Sequence, residues 1–386
     1  MARRWGRGGA GSPVKRGARG LVLAAGCWGP VISSVMQRCI GIVAGLFLAI
    51  LLAGVAGCAA THQWPPGLTS AARRQLKAMP AIATPWPDGP PGGELIQTAH
   101  YRIYTTIDSP LQQRLIARVL EADYARFFRL VPHAAPRLPM VGYVFRNRGQ
   151  WARYTRRVTG SQARVYLHID AGGFERNGVF AAYRSNVAEI LSVLAHEAWH
   201  QFSFLALRDH LPAWLDEGLA TQCEAMRWRN GYPVFTPWLN AARWEVLRHA
   251  IERRQLLALP ALAGTQAGSV LMHNTAYIQI YYAEVWSLML FLEHSRYRPE
   301  LLELLTMAEK GQLNKLLIGS GLTAADKADL SLRWNRVAGK VYLRHFFTSH
   351  PHLKQRYVAF IDRLVKSWPP AKPEYTALRT ARGSKS

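Results

Sequence analysis

Three residues in the stretch LAHEAWHQF, Leu194 to Phe202, have the types and spacing to hold a metal ion and use it. On a helix, residues i and i+4 share one face, a turn apart. His196 and His200 can therefore aim ring nitrogens at one point about 2 Å from each, as zinc requires. Glu197, beside the first histidine, can accept a proton from a water that the metal has acidified. A catalytic centre of this kind needs a third protein ligand and an open fourth position. The stretch LPAWLDEGLATQCE supplies Glu217, on a helix predicted to start at Pro212. A short loop through Arg208 to Leu211 would bring that helix back against the first. His210 lies in the turn itself, and Asp216 points about 100° away from Glu217 around the helix.

Together, HEAWHQF and PAWLDEGLA resemble the two motifs of the gluzincin metallopeptidases, which include thermolysin-like and aminopeptidase-N-like enzymes. The likeness is greatest to the bacterial peptidase-MA-like group, whose second motif is W-x-x-E-G-x-A. It is tight from Leu194 to Glu224 and loose from the first strand to the last helices. The resemblance implies a gluzincin (thermolysin-like) catalytic core with a zinc cofactor held by His196, His200 and Glu217. It also implies Glu197 as general base and a peptide or protein as substrate. Glu224, seven residues after Glu217, is similar in position to the carboxylate that orients a ligand histidine in aminopeptidase-like members. Thermolysin-like members carry an Asp four residues after the third ligand; here that residue is Thr221. The spacing from the second histidine to the third ligand is shorter than in the best-known members, which changes the loop. Metzincins place a third histidine six residues after the second, where this chain has Ala206. The family also has a helix carrying an oxyanion-stabilising tyrosine, and AYIQIYYAEVWSLMLFLEH offers Tyr277, Tyr281 and Tyr282. Tyr282 is favoured because Trp286, one turn on, would set it into the domain. No amine-binding motif of the aminopeptidases is present.

These residues need elements to position them. Asn186 with Glu189 forms a capping box, and Val187, Ile190, Leu191 and Leu194 give the motif helix its apolar face. HYRIYTTI from His100, MVGYVF from Met140 and ARVYLHI from Ala163 read as strands. SPLQQRLIARVLEADYARFFRLV begins with Ser and Pro and has helical apolar spacing. AGGFERNGVFAAYR reads as a loop or hairpin, whose Gly172-Gly173 could admit a substrate backbone beside an edge strand. Trp199 and Trp214 read as packing residues. Beyond Pro212 the pattern is almost wholly helical. The fold class is α+β: a small N-terminal mixed sheet with helices, then a mostly helical part.

The chain has 386 residues, is 49% hydrophobic and carries a formal charge of +24, values that permit a large core and would suggest nucleic acid as partner. Its N-terminus argues otherwise. Ile40 to Gly57 is an uncharged apolar run, preceded by Arg38 and followed by Cys58. VAGC, Val55 to Cys58, resembles the lipobox of bacterial lipoproteins, in which the cysteine is acylated after the signal is cut. An uncleaved membrane span is the other reading of the run. Both place the rest of the chain outside the cytoplasm, away from nucleic acid. With Ala59 after the cysteine, the expected site is the outer membrane, facing the periplasm. Met36 reads as the true start. Removing the seven basic residues before Cys58 from +24 leaves +17; an evenly solvated basic surface is one reading of it, and anionic lipid and envelope polymers are the available polyanionic partners on the other. Only Cys223 would remain as a thiol, so no intrachain disulfide can form. The expected organisation is 1–57 upstream segment and signal, 58–95 a Pro/Gly-rich tether, 96–367 the metallopeptidase domain and 368–386 a basic tail. A zinc-holding envelope scaffold without activity is the rival reading, and an intact Glu197 favours catalysis over it. The sequence does not set the oligomeric state.

Overall fold

The computed structural model describes residues 64–134, 136, 138–167, 172–183, 186–265, 275–318, 322, 334–348 and 352–369. Helix α1 (Ser70–Ala78) is followed by strands β1 (Ala83–Pro85), β2 (Glu94–Gln97) and β3 (Tyr101–Thr105). Helix α2 (Pro110–Leu130) leads to β4 (Met140–Phe145), and α3 (Arg148–Thr159) to the single turn α4 (Ala163–Tyr166). The hairpin β5 (Gly173–Arg176) and β6 (Val179–Tyr183) precedes α5 (Val187–Ala206) and α6 (Ala213–Thr221). A second hairpin, β7 (Met226–Arg229) and β8 (Tyr232–Phe235), is followed by α7 (Ala241–Glu252) and α8 (Leu259–Ala263). Helices α9 (Thr275–Glu293), α10 (Arg298–Glu309), α11 (Trp334–Tyr342) and α12 (Leu353–Lys366) complete the described chain. The fold is α+β, a mixed sheet followed by helices.

The large sheet has the order β1-β2-β3-β4-β6-β5. β3, β4 and β6 run parallel, and both edges are antiparallel. Parallel neighbours need long crossovers, which α2 and α3 provide. Two Asn-Gly pairs close the hairpins, with positive φ at Asn177, Gly178, Asn230 and Gly231, as the tightest hairpin turns require. Helix α5 packs between α2, the β5–β6 edge and α6, and α9 lies across α6 and α7. Gln201 of α5 donates to the carbonyls of Val141 and Gly178, both at 2.7 Å, so the edge hairpin is fastened above the helix. No described helix is long and apolar enough to cross a membrane.

Two expectations are corrected. Ala163 does not begin a strand. Ala163 and Tyr166 are the buried pair, three apart as in a helical turn, and Tyr166 packs on Phe174 with ring centroids 4.7 Å apart. The third parallel strand is β6, inside the stretch that reads as loop or hairpin. The Pro/Gly-rich stretch is not all tether. Leu76 of α1 is buried, and β1 and β2 extend the sheet, with Ile96 fully buried opposite Ile103. Residues 1–63, on which the expected lipobox and Cys58 fall, and 370–386 lie outside the described residues.

Gly142 of β4 faces Phe180 of β6, whose ring occupies the space a Cβ would need. Gly142→Ala should cost about 1–3 kcal/mol through overpacking, and Gly142→Ala/Phe180→Leu should recover part of it. The urea midpoint measures both; an unchanged midpoint in the single variant would contradict this packing.

Candidate metal centre

The centre is assembled by one helical return. Asn186 caps α5 by accepting from the Glu189 N–H at 2.9 Å. His196, Glu197 and His200 follow in its middle turns, each at most 2% exposed. The 207–212 loop is anchored where the N–H groups of Arg208 and Asp209 donate to the Ala308 carbonyl. The Asn335 side chain then accepts from the Ala213 N–H at 2.9 Å, at the start of α6. Gly218 lets α6 approach α9: a Cβ there would stand 3.2 Å from the Val285 carbonyl oxygen.

Three acceptor atoms converge. His196 Nε2 and His200 Nε2 are 3.1 Å apart, and Glu217 Oε2 lies 3.2 Å from the first and 3.4 Å from the second. Ligand atoms arranged tetrahedrally about 2.0–2.1 Å from an ion are about 3.3–3.4 Å from one another, so one metal ion fits between these three. The far side of each ring explains why a cation is needed. His196 Nδ1 donates to Glu224 Oε1 at 3.0 Å, and His200 Nδ1 donates to Asp216 Oδ2 at 2.9 Å. Each neutral ring has then spent its one proton. Two imidazole lone pairs and a carboxylate oxygen are left facing each other in a buried space, an arrangement a positive charge must compensate.

The outer carboxylates are themselves held. Glu224 accepts from Arg243 at both oxygens (2.8 and 3.0 Å) and from Asn240 Nδ2 at 2.8 Å. Burial raises its pKa, but Arg243 and His196 outweigh that and bring it down to about 2. Asp216 accepts from Trp199 Nε1 at 2.8 Å and from Ser203 Oγ at 3.2 Å. Glu217 is likewise pushed up by burial and pulled further down by His200 and His196.

Glu197 sits beside the cluster. Burial lifts its carboxyl to about 7 against the pull of His200 and His196, and the Glu175 backbone N–H on β5 donates to it. The Glu175 carboxyl is also buried and lifted to about 8. Tyr282 is buried, with its ring centroid 6.3 Å from that of His196 and the Arg243 guanidinium 4.8 Å over its face. The neighbouring Tyr281 hydroxyl is buried without a hydrogen-bond partner. Tyr277 turns instead toward Thr265.

The structure thus brings together His196, His200, Glu217, Glu197, Glu224 and Tyr282. It corrects one detail: α6 ends at Thr221, so Glu224 lies beyond the helix rather than on its face. Asp216 is not a ligand, yet it is the partner of His200. Sequence spacing shows only that it neighbours Glu217; its meeting with His200 depends on how α6 crosses α5. Glu175, Asn240 and Arg243 carry no motif. No family model, curated protein or solved structure matches the chain.

In the metal-free chain a proton supplies the missing charge. Burial opposes protonation of His200, but Asp216 and Glu217 hold its pKa well above the ordinary value; His196 is raised by Glu217 and Glu224 against burial. These groups, with Glu197 and Glu175, bind protons more tightly folded than unfolded. Their contribution to stability is complete below the unfolded pKa values and is lost as pH rises through the folded ones. The chelated protein should therefore melt lower at pH 8.5 than at pH 6, and added metal should remove most of that difference. Metal binding at pH 7 should release protons, read as a dependence of the calorimetric enthalpy on buffer ionisation. Asp216→Asn should weaken the metal about 10–100-fold while leaving the fold intact. Buffer-independent enthalpies would sink the assignment.

Proposed function

We propose that this protein is a zinc metallopeptidase of gluzincin type, with a thermolysin-like core, acting on peptides or proteins in the bacterial cell envelope. The observation that carries the reading is the buried convergence of His196, His200 and Glu217 beside Glu197, whose carboxyl is lifted to about 7. Two nitrogens and one carboxylate oxygen, with a fourth position left for water or substrate, are the donor set of a catalytic zinc. When bound, zinc supplies Lewis acidity, polarising the scissile carbonyl and acidifying water. Glu197, near neutrality, takes the proton of the attacking water and returns it to the leaving amine. The Glu175 N–H keeps that carboxylate in place. A tyrosine of α9 faces the developing oxyanion. Burial and then Glu217 push the hydroxyls of both Tyr281 and Tyr282 up, so each stays a donor. β5 is an edge strand, and a peptide added along it would lie beside Glu197. The likeness of VAGC to a lipobox supports anchoring of the enzyme to the outer membrane through an acylated Cys58.

Glu197→Gln should fold and bind zinc like the wild type, yet lose roughly 100-fold or more in turnover on casein or a mixed peptide library. Glu217→Gln should instead lose metal. Tyr281→Phe removes a hydroxyl that has no partner, so it should not destabilise the fold; a fall in its turnover greater than that of Tyr282→Phe would make Tyr281 the oxyanion donor. Equal cleavage by wild type and Glu197→Gln would refute the base. No cleavage by zinc-loaded wild type, with an envelope phenotype that Glu197→Gln fully rescues, would favour the scaffold.

A further inference from the structure

One face of the protein, remote in role from the metal, has a composition of its own. Helix α1 carries Arg73, Arg74 and Lys77, and residues 64–80 contain no acid. Residues 225–236, which hold the β7–β8 hairpin, contain none either. Strand alternation puts Arg227, Arg229, Tyr232 and Val234 on the hairpin's outer side, with Arg227 opposite Val234 and Arg229 opposite Tyr232. Tyr232 is 59% exposed and Val234 42%. Arg118 of α2 joins the two elements: its guanidinium lies 4.1 Å over the Tyr232 ring and 3.8 Å from Met79 Sδ, at the end of α1. The α1 side holds a cavity of about 240 Å³ lined by Trp64, Ser70, Arg73, Arg74, Lys77 and Leu111. There Arg73 donates to Ser70 Oγ at 2.9 Å and stacks over Trp64.

We propose that this face rests on an anionic phospholipid bilayer, with a lipid phosphate seated in the pocket between Arg73, Arg74 and Lys77. Five cations on two acid-free segments, with Arg118 between them, match an anionic headgroup layer. Exposed Tyr, Val and Met among long basic side chains suit an interface where stems are apolar and tips are wet. The chain itself points the same way. The apolar run Ile40 to Gly57 and Cys58 lie just before Trp64, so the face can stand only about 20 Å from whatever holds that run. The inference holds whether or not Glu197 is catalytic.

The test uses the full chain in nanodiscs of phosphatidylcholine, alone or with phosphatidylglycerol, read by hydrogen exchange. Residues 70–79 and 226–235 should exchange about fivefold or more slowly with phosphatidylglycerol, the scale of one cation held at an anionic surface. High salt should erase the difference. Arg74→Glu/Arg227→Glu/Arg229→Glu should erase it too, with exchange elsewhere unchanged; the single Arg74→Ala variant should reduce it if the triple variant unfolds. Equal exchange in both discs overturns the proposal. So does protection by a soluble polyanion such as polyphosphate without protection by the discs, which would make the face a polymer site.

Discussion

Everything around the centre follows from one constraint: two imidazole nitrogens and a carboxylate oxygen meet at one buried point. Such a trio repels itself unless a cation joins it. The tautomers that create the problem are imposed from outside, by Glu224 behind one ring and Asp216 behind the other. Those carboxylates are tied in turn, the first by Arg243 and Asn240, the second by Trp199 and Ser203. Charge alternates outward from the site, and each layer fixes the orientation of the one inside it.

The same alternation separates two jobs for carboxylates of one chemistry. Glu224 and Glu217 are surrounded by cationic or donating groups and stay ionised. Glu197 and Glu175 are dominated by burial and titrate near neutrality. The function proposed above needs this division: a metal ligand stays ionised, whereas a base picks up a proton on every cycle. The division comes from neighbours, since all four residues are glutamates within a few turns or strands of one another.

Local pattern reached far into this molecule. Caps at Ser109 and Asn186, the motif helix, its partner after Pro212 and both central strands were legible, because each shows in the pattern of residues close in sequence. Ala163 misled because apolar alternation over four residues suits a strand and a single helical turn equally. The Pro/Gly-rich stretch misled because strands at a sheet edge can be short and turn-rich. Glu224 reached its place by another route than helix periodicity: the Cys223 and Glu224 N–H groups bond back to Ala220 and Thr221, prolonging the turn just far enough. Asp216 was legible as a non-ligand but not as the partner of His200, since that depends on how α6 crosses α5.

Asn240 shows how finely one atom is chosen. Its Oδ1 caps α7 while its Nδ2 donates to Glu224. An aspartate would cap the helix equally well, but it would set an acceptor where Glu224 needs a donor. Direct hydrolysis of this single side-chain amide to the acid would therefore be silent to the helix and felt at the metal site. An ageing reaction that changes shape hardly at all would remove one of the hands that steady His196.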